Sequence, residues 1–281
     1  MTGTGTETDP YVVDNIADFR TACEKSDAYV ELNKDIDCND DETISGGWTT
    51  LSISCEKIDG KGHTIKNIYT TANYTSSMII LMNSSLTKGI HNLNFENIFF
   101  NHNGNGSAFY SNGAGSFNNC NFSGIINSNS ARYFCNAPIR ATKCTFNFKI
   151  YSTGTGGFAF SCLNMESCEV KLDVSAVTLA STLAVIAKYF TNSYLTGIMR
   201  FQSVCTGSEN LFTYASNSYV AMSVANAGNI KFASSDASLA CFYDNDLLEN
   251  TELEAQDNVY ALTTAQCKDR DYLNSIGFVV V

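Results

Sequence analysis

The most regular feature of the chain is a series of short segments in which apolar and polar residues alternate. They read Leu93-Asn-Phe95-Glu-Asn-Ile98, Cys120-Asn-Phe122-Ser-Gly-Ile125, Cys144-Thr-Phe146-Asn-Phe148-Lys-Ile150 and Cys168-Glu-Val170-Lys-Leu172-Asp-Val174. Weaker copies follow as Ser193-Tyr-Leu195-Thr-Gly-Ile198 and Ser218-Tyr-Val220-Ala-Met222-Ser-Val224. An apolar residue at every second position marks a β-strand with one buried face. The six segments begin 27, 24, 24, 25 and 25 residues apart. A second apolar patch precedes each, at 78–81, 108–110, 133–135, 158–160, 183–186 and 211–212. One such unit cannot bury its apolar face alone, so units stack and like residues meet in the core. The spacing predicts an all-β chain, a right-handed parallel β-helix with about 24 residues per coil. Strands 93–98, 120–125, 144–150, 168–174, 193–198 and 218–224 are expected in one sheet, with Cys120, Cys144 and Cys168 as an internal column.

An open solenoid exposes strand edges at both ends and needs caps. Residues 14–24 read as a short helix capped by Asp14 or Asn15. Thr263-Thr-Ala-Gln266 fits a capping box, with a helix running to about Ser275, Gly277 as its stop and 278–281 as a closing tail. The division that follows is a cap and first coil over 1–57, a trunk over 58–257 and a helix and tail cap over 258–281.

Composition agrees with stacked strands: 16% of residues are charged and 2 are proline, against 19 glycines and many Asn, Ser and Thr. Residues 1–59 carry a net charge of −10 and 236–281 a net −7, around a trunk of +6. Acidic ends on a mildly basic trunk argue against a nucleic-acid partner, which calls for Lys and Arg clustered on one face. The 11 cysteines include no Cys-x-x-Cys, and His63, His91 and His102 lack ligand-like spacing to them, so neither a metal nor a cofactor is expected. The opening residues have neither a basic start nor an apolar run, and 174–187 is broken by Ser175, Thr178, Ser181 and Thr182. The expectation is synthesis in a reducing cytoplasm, thiols reduced, with no membrane insertion.

Several segments carry a resemblance. Gly3-Thr-Gly5-Thr6-Glu-Thr-Asp9-Pro10-Tyr11, then Tyr29-Val-Glu-Leu32-Asn-Lys-Asp35-Ile36-Asp37, Gly47-Trp48 and Ile58-Asp59-Gly60-Lys-Gly62-His63-Thr-Ile65 are similar to the first coils of pectin-lyase-like β-helix domains. Gly115-Ser-Phe117-Asn-Asn-Cys120-Asn-Phe122-Ser-Gly124 resembles the "GLUG"-type repeats of one branch, found in bacteriophage tail, spike and fibre proteins and in bacterial surface proteins. The resemblance implies the fold; it does not select a function, since that superfamily holds lyases, hydrolases, adhesins and phage spikes.

Candidate chemistry is sparse. A glycosidase of this shape needs paired carboxylates and a lyase a basic residue beside acids, yet no Asp or Glu lies between Glu96 and Glu166 or between Asp173 and Glu209. Glu169, Lys171 and Asp173 alternate outward beside Glu166 and read as a solvated face. Asp35, Asp37, Asp40, Asp41 and Glu42 form the densest acidic cluster, in a first-coil loop where Asp serves turns. Asp59-Gly60-Lys61-Gly62-His63 joins acid, base and imidazole but falls in a tight turn. No catalytic residue is assigned. Exposed aromatics are the better lead: Tyr189, Tyr194, Tyr214 and Tyr219 crowd the later coils and suit sugar stacking or subunit packing. The reading that follows is a non-enzymatic virion protein of a bacteriophage, made in the bacterial cytoplasm. Its expected partners are other virion proteins, further copies of itself as a lateral homotrimer, and a host-surface glycan. A polysaccharide depolymerase is the enzyme alternative, and a bacterial adhesin the other.

Overall fold

A computed structural model describes residues 1–40, 47–71, 77–81, 89–103, 107–111, 115–128, 134–135, 139–153, 160, 162–176, 186–202, 209–233, 241–253 and 257–276. The chain is a parallel β-solenoid, mostly strand with few and short helices. One ladder runs through Ile36–Asp37, Thr64–Lys66, Asn94–His102, Asn121–Ser128, Thr145–Ser152, Glu169–Ala176, Tyr194–Phe201 and the start of Tyr219–Ala233. The six expected strands are its later members, consecutive and in the expected order. Phe95, Phe122, Phe146, Val170, Leu195 and Val220 face one another from turn to turn.

The other long ladder runs through Tyr11–Val13, Tyr29–Leu32, Lys57–Asp59, Gly89–His91, Gly115–Asn118, Ile139–Thr142, Cys162–Glu166, Ala187–Thr191 and Glu209–Ser216. Its short members carry only one or two inward residues each, such as Ile90 or Phe117, too few for a visible alternation. The patch at 211–212 belongs to this ladder, whereas 78–81 and 108–110 feed a third, short ladder of Leu51–Ile53, Ile79–Leu81 and Phe109–Ser111. The strand Tyr219–Ala233 pairs with both long ladders and joins them into a 20-stranded sheet.

Between the two long ladders the chain turns a corner with one residue in the left-handed region: Asn92, Asn119, Lys143, Ser167, Asn192 and Asn217, at φ of 45° to 55°. Asn tolerates that region best among residues with a side chain, which is why it recurs at this corner. The next residue always points inward, giving the buried column Leu93, Cys120, Cys144, Cys168, Ser193 and Ser218. From Cys120 onward each member donates to the carbonyl two residues earlier, from Cys120 Sγ to Asn118 at 3.4 Å through Cys144 to Thr142 at 3.3 Å to Ser193 Oγ to Thr191 at 2.6 Å. Cys168 and Ser218 do the same to Glu166 and Ser216. Thiol and hydroxyl are therefore equivalent here: each gives a second donor to a carbonyl that already accepts the N–H of the corner residue one turn earlier. Hydrogen bonding with the flanking thiols of Cys120 and Cys168, and then burial, push the Cys144 thiol far up, so it stays protonated.

Behind the column lies an aromatic core. Phe95, Phe122 and Phe146 stack face to face with centroids 5.3 Å apart. Phe134, from the neighbouring wall, meets Phe122 and Phe146 edge-on at 5.4 and 5.1 Å and stacks on Phe160 at 4.9 Å.

One register differs from the sequence reading. Ile98 stands opposite Gly124, not Ile125, because Asn97 at φ 52° inserts an extra residue into the strand. Ile125 and Ile198 are consequently half-buried, and Ile126 and Met199 take the core positions.

At the N-terminal end the helix Ile16–Cys23 is capped by Asn15 and buries Ile16, Phe19, Ala22 and Cys23. At the other end Thr263 and Gln266 form the capping box of the helix Thr264–Cys267. The single helix expected to Ser275 is two helices, because Asp269 caps a new one, Arg270–Ser275. Gly277 and the tail 278–281 lie outside the described residues.

Candidate functional site

The acidic and basic groups of the first coils are spent on holding turns together. Asp37 accepts from the Asn67 amide at 2.7 Å, and Asn67 accepts from Asn97 at 2.6 Å. Asp59 accepts from Asn92 at 3.0 Å, and Asn92 accepts from Asn119 at 2.8 Å. Each is an amide ladder ending on a carboxylate at the rod's N-terminal end. Lys61 pairs with Glu31 at 2.7 Å and with Asp59 at 3.6 Å, whereas His63 faces Asp35 at 3.2 Å rather than Asp59. The Asp59–His63 segment therefore does not converge on one point, as a catalytic set must. Asp41 and Glu42 of the acidic cluster lie outside the described residues, and among the described residues no three His, Cys, Asp or Glu gather as a metal site. No described helix is long and apolar enough to cross a membrane.

These ties depress three carboxylates. The Asn67 amide is the main cause for Asp37, and the Thr64 N–H for Asp35. At Asp59 burial acts in the raising direction but is outweighed by Asn92 and the Lys61 N–H and charge. A folded value below the unfolded one, about 3.9, means stability that is full above that value and lost as pH falls through the folded values. Trp48, buried with its Nε1 donating to Met78 at 2.9 Å, is the chain's one tryptophan and reports on these coils. Acid titration is expected to red-shift its emission below about pH 4. Asn67→Ala should bring the transition to higher pH; an unchanged midpoint would disprove the assignment to Asp37.

On the trunk, Glu169, Lys171 and Asp173 alternate outward while Val170, Leu172 and Val174 are buried. Glu169 stands between Thr145 and Tyr194, and Asp173 between Lys149 and Ile198. Four residues of strand at about 3.3 Å each put Glu169 and Asp173 about 13 Å apart. That exceeds the separation of about 5–9.5 Å at which a carboxylate pair cleaves glycosides.

The four tyrosines fall on two sides of one corner. Tyr189 and Tyr214 face each other in one long ladder with ring centroids 5.8 Å apart, and Lys188 Nζ lies 5.6 Å from the Tyr189 ring. Tyr194 and Tyr219 face each other in the other ladder, and between the pairs runs the corner where Asn217 donates to Asn192 at 3.0 Å. Tyr189 is 41% exposed and Tyr194 42%. Partial burial and a hydrogen bond to Glu169 raise the Tyr194 phenol. Tyr219 is drawn inward instead: its ring stacks on Phe242 at 4.3 Å and packs with Leu262, Leu273 and Cys267 of the C-terminal cap. Phe190 and Phe201 are buried.

Tyr151, 46% exposed on Thr145–Ser152, was not singled out from the sequence. Its signal was there: it follows Lys149 at an outward position of an alternating strand.

No protein-family model, no curated protein and no solved structure matches the chain. The class of protein is thus defined by its architecture: a parallel β-helix with helical caps and a weakly charged, tyrosine-bearing trunk.

Proposed function

We propose that the chain is a non-catalytic structural component of a bacteriophage particle, in a tail, spike or head fibre, and that its tyrosine corner holds a host-surface glycan. The observation that carries this is the outward placement of Tyr189 and Tyr194 on either side of an asparagine corner. Rigid aromatic faces beside amides suit the C–H faces and hydroxyls of sugars. The phage context rests on the resemblance of the first coils and of the repeat at 115–124. Glu169 and Asp173, about 13 Å apart along their strand, are too widely spaced to serve a depolymerase as its carboxylate pair. Acidic ends of −10 and −7 oppose end-to-end stacking, so copies of the rod associate side by side, as trimers, through the low-charge trunk.

The test is retention on host capsule or wall polysaccharide, with immunogold labelling of the assembled particle. The purified chain should bind without releasing reducing ends or unsaturated sugars, and the double variant Tyr189→Ala, Tyr194→Ala should bind at least about tenfold more weakly. Turnover that disappears in Glu169→Gln or Asp173→Asn would establish the depolymerase instead. Label on the bacterial surface and not on the particle would establish the adhesin.

A further inference from the structure

We propose a second binding site, separate from the tyrosine corner, at the carboxyl ends of Asn94–His102, Asn121–Ser128 and Thr145–Ser152, which takes a neutral, hydroxyl-rich oligosaccharide. A groove of about 460 Å³ lies there. Its wall is one outward row running across three turns, in which Asn101 faces Asn127 and Asn127 faces Tyr151. Its floor is the buried His102 and Ser128, and the His102 ring stacks on Phe100 at 5.2 Å.

The amides of this row differ from others in the rod. Elsewhere asparagines on neighbouring turns bond to each other: Asn97 to Asn67, Asn119 to Asn92, Asn121 to Asn94 and Asn217 to Asn192, at 2.6 to 3.0 Å. Asn101 and Asn127 face each other in the same way, yet neither side-chain amide makes a hydrogen bond among the described residues. Both donor and acceptor of each amide remain available at the groove, on turns about 4.8 Å apart. Tyr151, the next member of the row, adds the most exposed large apolar side chain among the described residues. Two amides that donate and accept, followed by an aromatic face, match a chain of vicinal hydroxyls with an apolar ring face.

The uncharged side chains of the described lining, Asn101, Asn127, Tyr151 and Thr153, favour a neutral ligand. Asn103 and Thr153 complete the rim, and among the described residues no Asp, Glu, Lys or Arg lines the groove. A uronate or phosphate entering it would lose water without gaining a counter-charge, whereas hydroxyls exchange water for amides at little cost. The inference extends the glycan-binding reading to a surface on which that reading does not depend.

The experiment is a ¹⁵N-correlated NMR titration of the full chain with maltohexaose, cellohexaose, chitohexaose and hexagalacturonic acid. At least one neutral probe is expected to shift the side-chain amides of Asn101 and Asn127. Tyr151→Ala should weaken that probe at least about tenfold, while Tyr151→Phe, which keeps the ring, stays near the parent. The double variant at Tyr189 and Tyr194 should leave these shifts intact, so the corner and the groove fail separately. No amide shift with any neutral probe, or shifts only with hexagalacturonic acid, overturns the proposal, as does loss of the shifts in the corner variant.

Discussion

Phe122→Ala is expected to destabilise the chain by about 3–5 kcal/mol, as a large-to-small change in a closely packed core does. The ring is buried and touches five others: Phe95 and Phe146 face to face, and Phe109, Phe117 and Phe134 edge-on. Two of those neighbours belong to the turn below and the turn above, so one truncation weakens both interfaces of its turn. In a solenoid, stability is a sum of turns and the contacts between them, and a gap in the middle uncouples the two halves. Urea unfolding followed by circular dichroism should therefore show a lower midpoint and a broader or divided transition. Phe122→Leu, which keeps most of the volume, should cost much less. A loss below about 1 kcal/mol for the alanine variant would mean that the stack does not close the core in this way.

Gly197→Ala is expected to be comparably severe for a different reason. Gly197 sits at φ 121° facing Leu172, and a Cβ there would lie 1.9 Å from the Leu172 carbonyl oxygen. The substitution forces apart two hydrogen-bonded turns and also strains the backbone. Overpacking and a disfavoured φ each cost about 1–3 kcal/mol. Gly62 provides the control: it also has positive φ, at 86°, but nothing lies within 4 Å of its missing Cβ. Gly62→Ala should show the conformational cost alone, about 1 kcal/mol or a little more. Equal effects at the two positions would show that the contact with Leu172 yields easily. Thermal melts of both variants against the parent decide it.

Neither position was marked out by sequence spacing. The Ser-Gly-Ile and Thr-Gly-Ile sequences at 123–125 and 196–198 look like the inward phase of a strand ending on isoleucine. In the fold the glycine takes the inward position and the following Ile126 or Met199 resumes the core. The reading failed by one residue, and one residue in a strand exchanges the buried and exposed faces. The αL corner explains a further equivalence. Ser193 and Ser218 look like weak copies of Cys120, because alignment by hydropathy separates Cys from Ser. As donors to a carbonyl two residues back, they are interchangeable.

What the sequence determined by itself is the stacking: period-2 alternation recurring at 24 to 27 residues admits a parallel solenoid and places six strands in consecutive register. The caps were equally readable, since Asn15 and the Thr263–Gln266 box act within one helical turn of themselves. These are local or strictly periodic signals, and they survive without knowledge of neighbours. The tertiary structure alone decided which polar groups are used up. Asp37, Asp59, Lys61 and His63 read as turn residues, but only the fold shows which neighbouring turn each one ties, while Tyr219 looked like surface and is held by the C-terminal cap. Asn101 and Asn127 looked like any other ladder asparagines, yet their amides stay open. Whether an amide bonds to its counterpart depends on ångström-scale offsets between residues some 26 positions apart, and alternation along a single strand does not encode those offsets.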